Sequence, residues 1–223
     1  MRIVMLSRLL PVLMLLAGAL PAVAIAASDA LIDPAVLDSP AFLAGHPDLR
    51  FRREGFAAYD RGRHRSAVEA FRKAARYADK PSQGMLAEMY ANGDGVPADP
   101  ALAWAWMALA AERGPAWAEA RREAYLARVP ASELARADAL FAEMLGEYGD
   151  EVARPRLATH LRRAARGNTG SRVGGSAPRR VQLVSGDGVR EVRDVDFDDP
   201  RYWEPERYFA LQDAEWARFR GGD

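Results

Sequence analysis

From Leu49 to Arg166 the apolar positions recur with a helical period, and alanine, leucine and arginine dominate the stretch. The pattern breaks only at glycine or proline, the residues that end helices or open them. Reading the breaks as boundaries predicts helices at about 49–61, 65–78, 82–91, 100–113, 115–127, 131–145 and 150–166. The connections are short, so consecutive helices are expected to pack as antiparallel neighbours. Helices of about 10–15 residues are marginal alone in water and depend on a neighbour's apolar face. A single pair cannot bury its own surface, whereas a stack of pairs can. The expected fold class is therefore all-α, a short solenoid of helix pairs.

Outside that stretch the pattern changes. Residues 28–48, with Pro34, Pro40 and Pro47, read as a poorly ordered lead-in containing one short turn. GNTGSRVGGSAPRR, residues 167–180, has four glycines and no acid and reads as a flexible linker. Beyond it, VQLV-SGDG-VREV predicts a small β-hairpin, with glycine and aspartate in the turn. PERYFALQDAEWARF, from Pro205, predicts a short helix. The expected order is a leader at 1–27, the lead-in at 28–48, a repeat domain at 49–166, the linker at 167–180, and a C-terminal hairpin and aromatic tail at 181–223.

YANGDGVPADPALAWAWMALAAERG, residues 90–114, explains how two of these helices meet. Asp99 before Pro100 is a helix start, because the carboxylate caps free N–H groups and proline fits the first helical position. Gly114 before Pro115 is a stop, and Gly93 and Gly95 allow a tight loop that a β-carbon would strain. Ala103, Ala110 and Ala111 are small where helices approach closely, and Trp106 is the large knob between them. Leu86, Tyr90, Gly93, Gly95, Val96, Asp99, Ala103, Trp106, Ala110, Ala111 and Gly114 together resemble the Sel1-like repeat family, relatives of the tetratricopeptide repeats. Ala87 departs from that pattern, which usually has glycine there. Upstream, Gly55, Ala67, Phe71 and Ala74, ending near Pro81, resemble an ordinary tetratricopeptide unit. Downstream no second Gly-x-Gly-Val loop follows, so 115–166 reads as a degenerate repeat with capping helices. The resemblance implies a right-handed stack whose concave surface binds a protein or peptide, without catalytic residues of its own.

Composition adds a compartment. Arg2 and Arg8, the apolar run Leu9–Leu20 and the small residues Ala24 and Ala26 read as a secretory signal peptide cleaved near Ala26 or Ala27. Pro11 and Pro21 and the shortness of the run argue against an uncleaved membrane span. The expected location is the periplasm or cell envelope. With no cysteine among 223 residues, neither a disulfide framework nor lipid attachment at cysteine is available. Without the leader's two arginines the balance is 29 basic against 31 acidic residues, which argues against a nucleic-acid binder.

Candidate chemistry is sparse. His46, His64 and His160 stand far apart and read as solvated or capping residues, and no Gly-x-Ser-x-Gly, His-Glu-x-x-His or phosphate loop is present. Asp194, Asp196, Asp198 and Asp199 lack the spacing of a calcium loop, and the repeat loop accounts for Asp94. No catalytic residue, metal site or cofactor is therefore expected. Arg154, Arg156, Arg162, Arg163 and Arg166 make the last repeat helix basic. Favourable charge at a helix C-terminus is preferred there over an anionic or membrane partner. Phe197–Phe219 holds seven of the chain's twenty aromatics, which must dock somewhere, with Trp203, Phe209 and Trp216 as candidate anchors. Docking back onto the helical stack is favoured over docking on a partner. Trp104 lies on another side of its helix from Trp106. Helical spacing and the resemblance together place Arg52, Phe56, Glu88 and Asn92 in the groove. The expected activity is that of an exported adaptor. An envelope enzyme, a regulator of a cell-wall enzyme and a membrane-peripheral assembly factor are the alternatives.

Overall fold

Asp79 and Asp99 do the same work at the start of two successive helices. Each carboxylate accepts a hydrogen bond from a backbone N–H three residues on, at 3.0 Å from Ser82 and 3.0 Å from Leu102. Each is followed by a proline in the first turn, whose missing N–H costs nothing there. The helices so started are α5 (Lys80–Asn92) and α6 (Pro100–Ala111). Gly93 ends α5 at φ 80°, and Gly95 follows at φ 75°. A β-carbon at Gly95 would also lie 2.6 Å from the backbone at His64 and Arg65, so both conformation and close approach require glycine.

The computed structural model describes residues 34–168, 180–185, 188–193 and 199–218. The expected leader, most of the linker, and Asp194, Asp196 and Asp198 lie outside them. Around α5 and α6 the chain forms α3 (Pro47–Tyr59), α4 (His64–Ala75), α7 (Ala116–Leu126), α8 (Leu134–Tyr148) and α9 (Asp150–Asn168). A single 3₁₀ turn, Ala131–Glu133, precedes α8. Every boundary lies within three residues of the expected one. The lead-in differs more, because from residue 34 it holds two short helices, α1 (Pro34–Leu37) and α2 (Pro40–Gly45). Ser39 caps α2 through the Phe42 N–H, and Phe42 is fully buried. Burial of that ring orders a segment whose prolines suggested looseness.

The helices pack in sequence-adjacent pairs, α3 on α4 and α5 on α6, while α6 also packs on α7 and α8. Ten of the twelve residues of α6 are buried, so it is the central element of the stack. Alanine at six of those ten positions is what lets neighbours close on every side. Trp106 packs against Tyr148 at 4.7 Å between ring centres, and Trp104 against Phe141 at 5.8 Å. At the first pair, Gly55 leaves room for Phe71, whose ring would sit 2.5 Å from a β-carbon there.

After α9, strands β1 (Arg180–Ser185) and β2 (Gly188–Arg193) pair antiparallel, Val181 opposite Val192 and Leu183 opposite Arg190. Helices α10 (Pro200–Trp203) and α11 (Pro205–Arg218) follow, and Asp199 caps α10. Trp203 joins Val36 and Phe42 in a second buried cluster, and Tyr208 joins Leu157 and Leu161 in a third.

Candidate partner-binding face

Helices α3, α5 and α7 contribute one face of the stack, and α11 lies across their first two turns. Its course is fixed by side chains three to five residues apart, which a helix projects on one side. Tyr208 donates its hydroxyl to Asp48 at the start of α3, at 2.5 Å. Gln212 accepts from Arg52, one turn further along α3, at 3.2 Å. Trp216 lies against Gly84 of α5 and meets Trp117 of α7 edge to face, 4.5 Å between ring centres. Its indole N–H donates to the Ala110 carbonyl at 3.1 Å. That carbonyl is in the last turn of α6, where the helix has no N–H donor of its own to offer it.

Charges tie the same helix to the stack. Asp213 sits between Arg113 at 2.6 Å and Arg154 of α9 at 2.5 Å. Phe209 lies under the Arg154 guanidinium, 4.7 Å from its carbon to the ring centre. Arg113 also reaches Asp150 at 3.1 Å, and Asp150 reaches Lys80 at 3.0 Å. Lys80 is 1 % exposed and donates to the Leu109 carbonyl at 2.6 Å and to Glu112 at 2.8 Å. Burial lowers the Lys80 ammonium below the usual lysine range, against the opposing pull of Asp150 and Glu112. Burial likewise raises the Asp48 carboxyl, against the nearby His46, and raises the Tyr208 hydroxyl further still.

His46 is the hinge of the second cluster. Its ring is fully buried, stacked on Phe42 at 3.9 Å, with each nitrogen 2.9 Å from a carbonyl oxygen, those of Phe42 and Tyr202. Of the expectation that His46 is solvated or capping, the solvated part is corrected: it stands at the end of α2 and the start of α3, and a pair of carbonyls and an aromatic stack hold it in the interior. His64 lies edge-on to Tyr59, 4.8 Å between ring centres, and His160 lies 3.4 Å from the Tyr77 hydroxyl.

Of the expected groove residues, Arg52 is already engaged, by Gln212 and by Asp79 at 3.3 Å. Phe56, 38 % exposed, lies further along α3 and packs edge-on against Phe71. Glu88 pairs with Arg121 of α7 at 2.5 Å, bridging α5 and α7, and Asn92 is exposed. Of the expected tail anchors, Trp203 is buried against Phe42, Phe209 lies against Arg154, and Trp216 is 4 % exposed. In the basic run of α9, Arg154 is taken up by Asp213, Arg156 donates to the carbonyls of Arg76 and Glu147, and Arg162 faces Glu206 at 3.8 Å. Among the described residues no cluster of histidine and carboxylates has metal-binding geometry, and Asp94 accepts from Tyr59 at 3.3 Å. No helix among them is long and apolar enough to cross a membrane. Asp48, Lys80 and Arg113 were not singled out from the sequence. An acid and two bases at helix ends look there like ordinary caps, and only the fold brings the tail's acids and aromatics against them.

A helix pair with a capped, glycine-kinked loop and a tryptophan wedge defines the class of repeat. Residues 81–115 match the Sel1 repeat family, which covers α5, α6 and the loop between them. The chain thus contains a Sel1-like repeat, placed at the centre of its helical stack. A solved structure of c5321, a protective antigen present in uropathogenic Escherichia coli strains displaying an SLR fold, is similar over 60 % of this chain. The identity is 21 % and the TM-score 0.43, and the similar part spans 27 % of that protein. No curated protein matches the chain.

Proposed function

We propose that the chain is an exported scaffold that holds a partner protein or peptide on the face of α3, α5 and α7. The observation that carries the reading is that this face binds a helix within the same molecule, through a tryptophan, a clamped carboxylate and a buried tyrosine. A Sel1-like repeat supplies the surface, and the stack contains an uncovered part of it around Phe56, Glu88 and Asn92. Export to the periplasm or envelope is supported by the basic, apolar and small-residue order of the first 27 residues. The work is non-covalent, and a protein or peptide is favoured as partner over a membrane surface or nucleic acid.

The test is photocrosslinking in living cells from a benzophenone side chain placed at Glu88 or at Asn92. A discrete protein crosslinked from these positions, and not from Glu143 on α8, supports the reading. A folded chain that crosslinks to nothing, or equally from all three positions, defeats it.

A further inference from the structure

The contacts of α11 also describe what the face of α3, α5 and α7 can recognise. Two guanidinium groups, from Arg113 and Arg154, converge on one carboxylate oxygen each at 2.6 and 2.5 Å. One helical turn along, the free end of α6 offers the Ala110 carbonyl to an indole N–H, while Gly84 and Trp117 receive the ring. Opposed charges and a hydrogen-bonding aromatic slot at that separation read an aspartate and a tryptophan three residues apart on a helix, Asp213 and Trp216 here. The clamp is half-buried, with Arg113 13 % exposed, and an uncharged side chain in place of the carboxylate would forfeit both charge-assisted bonds.

The hold on α11 is nevertheless thin. Only Pro205, Tyr208 and Trp216 of its fourteen residues are buried. It covers only the early turns of α3, α5 and α7, leaving Phe56 and the Glu88–Arg121 pair outside its reach. A longer helix bearing the same two side chains could engage both the slot and this uncovered part.

We propose that α11 is a built-in ligand of the face, and that the partner is a protein presenting an amphipathic helix with an Asp-x-x-Trp pair, which displaces α11. The proposal rests on the scaffold reading for its partner but not for its slot. Tethering sets the strength of the competition: a chain segment linking two sites gives the internal ligand an effective concentration on the order of millimolar. Weakening α11 removes that competitor and frees the slot for the same helix in trans.

The test titrates a fluorescein-labelled peptide of residues 205–218 into the full-length protein and reads anisotropy. Trp216→Ala and Asp213→Asn are each introduced into the full chain and checked for unchanged helix content by circular dichroism. Asp213→Asn guards against loss of fold in the tryptophan variant. Each folded variant is expected to bind the unaltered peptide at least about tenfold tighter than the unaltered chain does. A peptide carrying Trp216→Ala should bind at least about tenfold more weakly. The proposal is overturned if the variants bind no tighter than the unaltered chain, or bind both peptides alike. In the unaltered chain, millimolar unlabelled peptide should speed hydrogen exchange in α11 and leave α5 and α6 unchanged, and unchanged exchange in α11 would also overturn it. A peptide that competes while cells yield no crosslinked protein keeps the built-in ligand and removes the scaffold reading. A crosslinked protein with no competition by the peptide does the reverse.

Discussion

The α5–α6 repeat and the clasp made by α2, α9, α10 and α11 are held together by different physics. In the repeat, small side chains let backbones approach and one indole, Trp106, fills the remaining space at 2 % exposure. Charge there lies at the helix ends and on the outer side, in the Asp79 and Asp99 caps and the Glu88–Arg121 pair. Where the clasp meets α3 and the ends of the repeat helices, the seams carry ions: Lys80 against Glu112 and Asp150, Asp213 between two arginines, and Asp48 beneath Tyr208. Dispersion and apolar burial are insensitive to salt, and partly buried ion pairs respond to charge removal far more than to volume. One part of the molecule should therefore fail when its volume is changed, and the other when its charge is changed.

The largest expected effect belongs to the repeat. Trp106→Ala should cost about 3–5 kcal/mol, because the cavity opens at the centre of the stack where neighbours cannot collapse. Urea unfolding followed by circular dichroism measures it, and a cost below about 1 kcal/mol would mean that Trp106 is not the wedge. In the clasp the matching change keeps volume and removes charge. Lys80→Met should cost about 3 kcal/mol by stranding Glu112 and Asp150, whereas a volume-keeping Leu109→Met in the repeat should cost under about 1.5 kcal/mol. Similar costs for the two would erase the contrast.

Gly95→Ala should cost about 1–3 kcal/mol, since the residue has φ 75° and its added carbon would meet the backbone of α4. Gly62→Ala is its control, with a positive φ but open space around it, and it should cost less. Loss of the Asp99 cap in Asp99→Ala should cost about 1 kcal/mol.

The smallest effect is a difference of sign with pH. A hydrogen bond from Arg136 holds the Asp99 carboxyl below its usual range, so its stabilisation is present above the unfolded value and lost as pH falls through the folded one. Burial raises Asp48, so stability tied to its protonated form is present below the unfolded value and lost as pH rises through the folded one. Between about pH 3 and 4 the melting temperature should fall less with acid in Asp99→Ala than in the unaltered chain. Above about pH 4, Asp48→Asn should gain on the unaltered chain as pH rises. Parallel pH profiles for all three proteins would show that neither carboxylate reports its own region.

What could be read from the sequence divides along the same line. The repeat is legible because its determinants are local: Asp99 beside Pro100, two glycines two residues apart, and alanines spaced at one or two turns. Each dictates a conformation within a few residues of itself. The clasp is not legible, because Asp48, Arg113 and His46 acquire meaning only from partners brought in from far along the chain. The aromatic density of the tail shows that it must dock, yet nothing local says that Trp216 chooses the end of α6. Arg52 illustrates both cases. Helical spacing puts it on the face of α3, but that the tail itself supplies its Gln212 partner could not be read from that spacing.

The span of those pairings has a consequence for how the molecule comes into being. Tyr202 and His46 are 156 positions apart, Tyr208 and Asp48 are 160, and Trp216 and Ala110 are 106. A nascent chain can close α3 on α4 and α5 on α6 as each pair emerges, because those contacts are near neighbours. Phe42 and His46 are made early and must wait, uncovered, for the last part of the chain to arrive. The clasp is therefore the final step of assembly, and its closure distinguishes a finished molecule from one interrupted before α10.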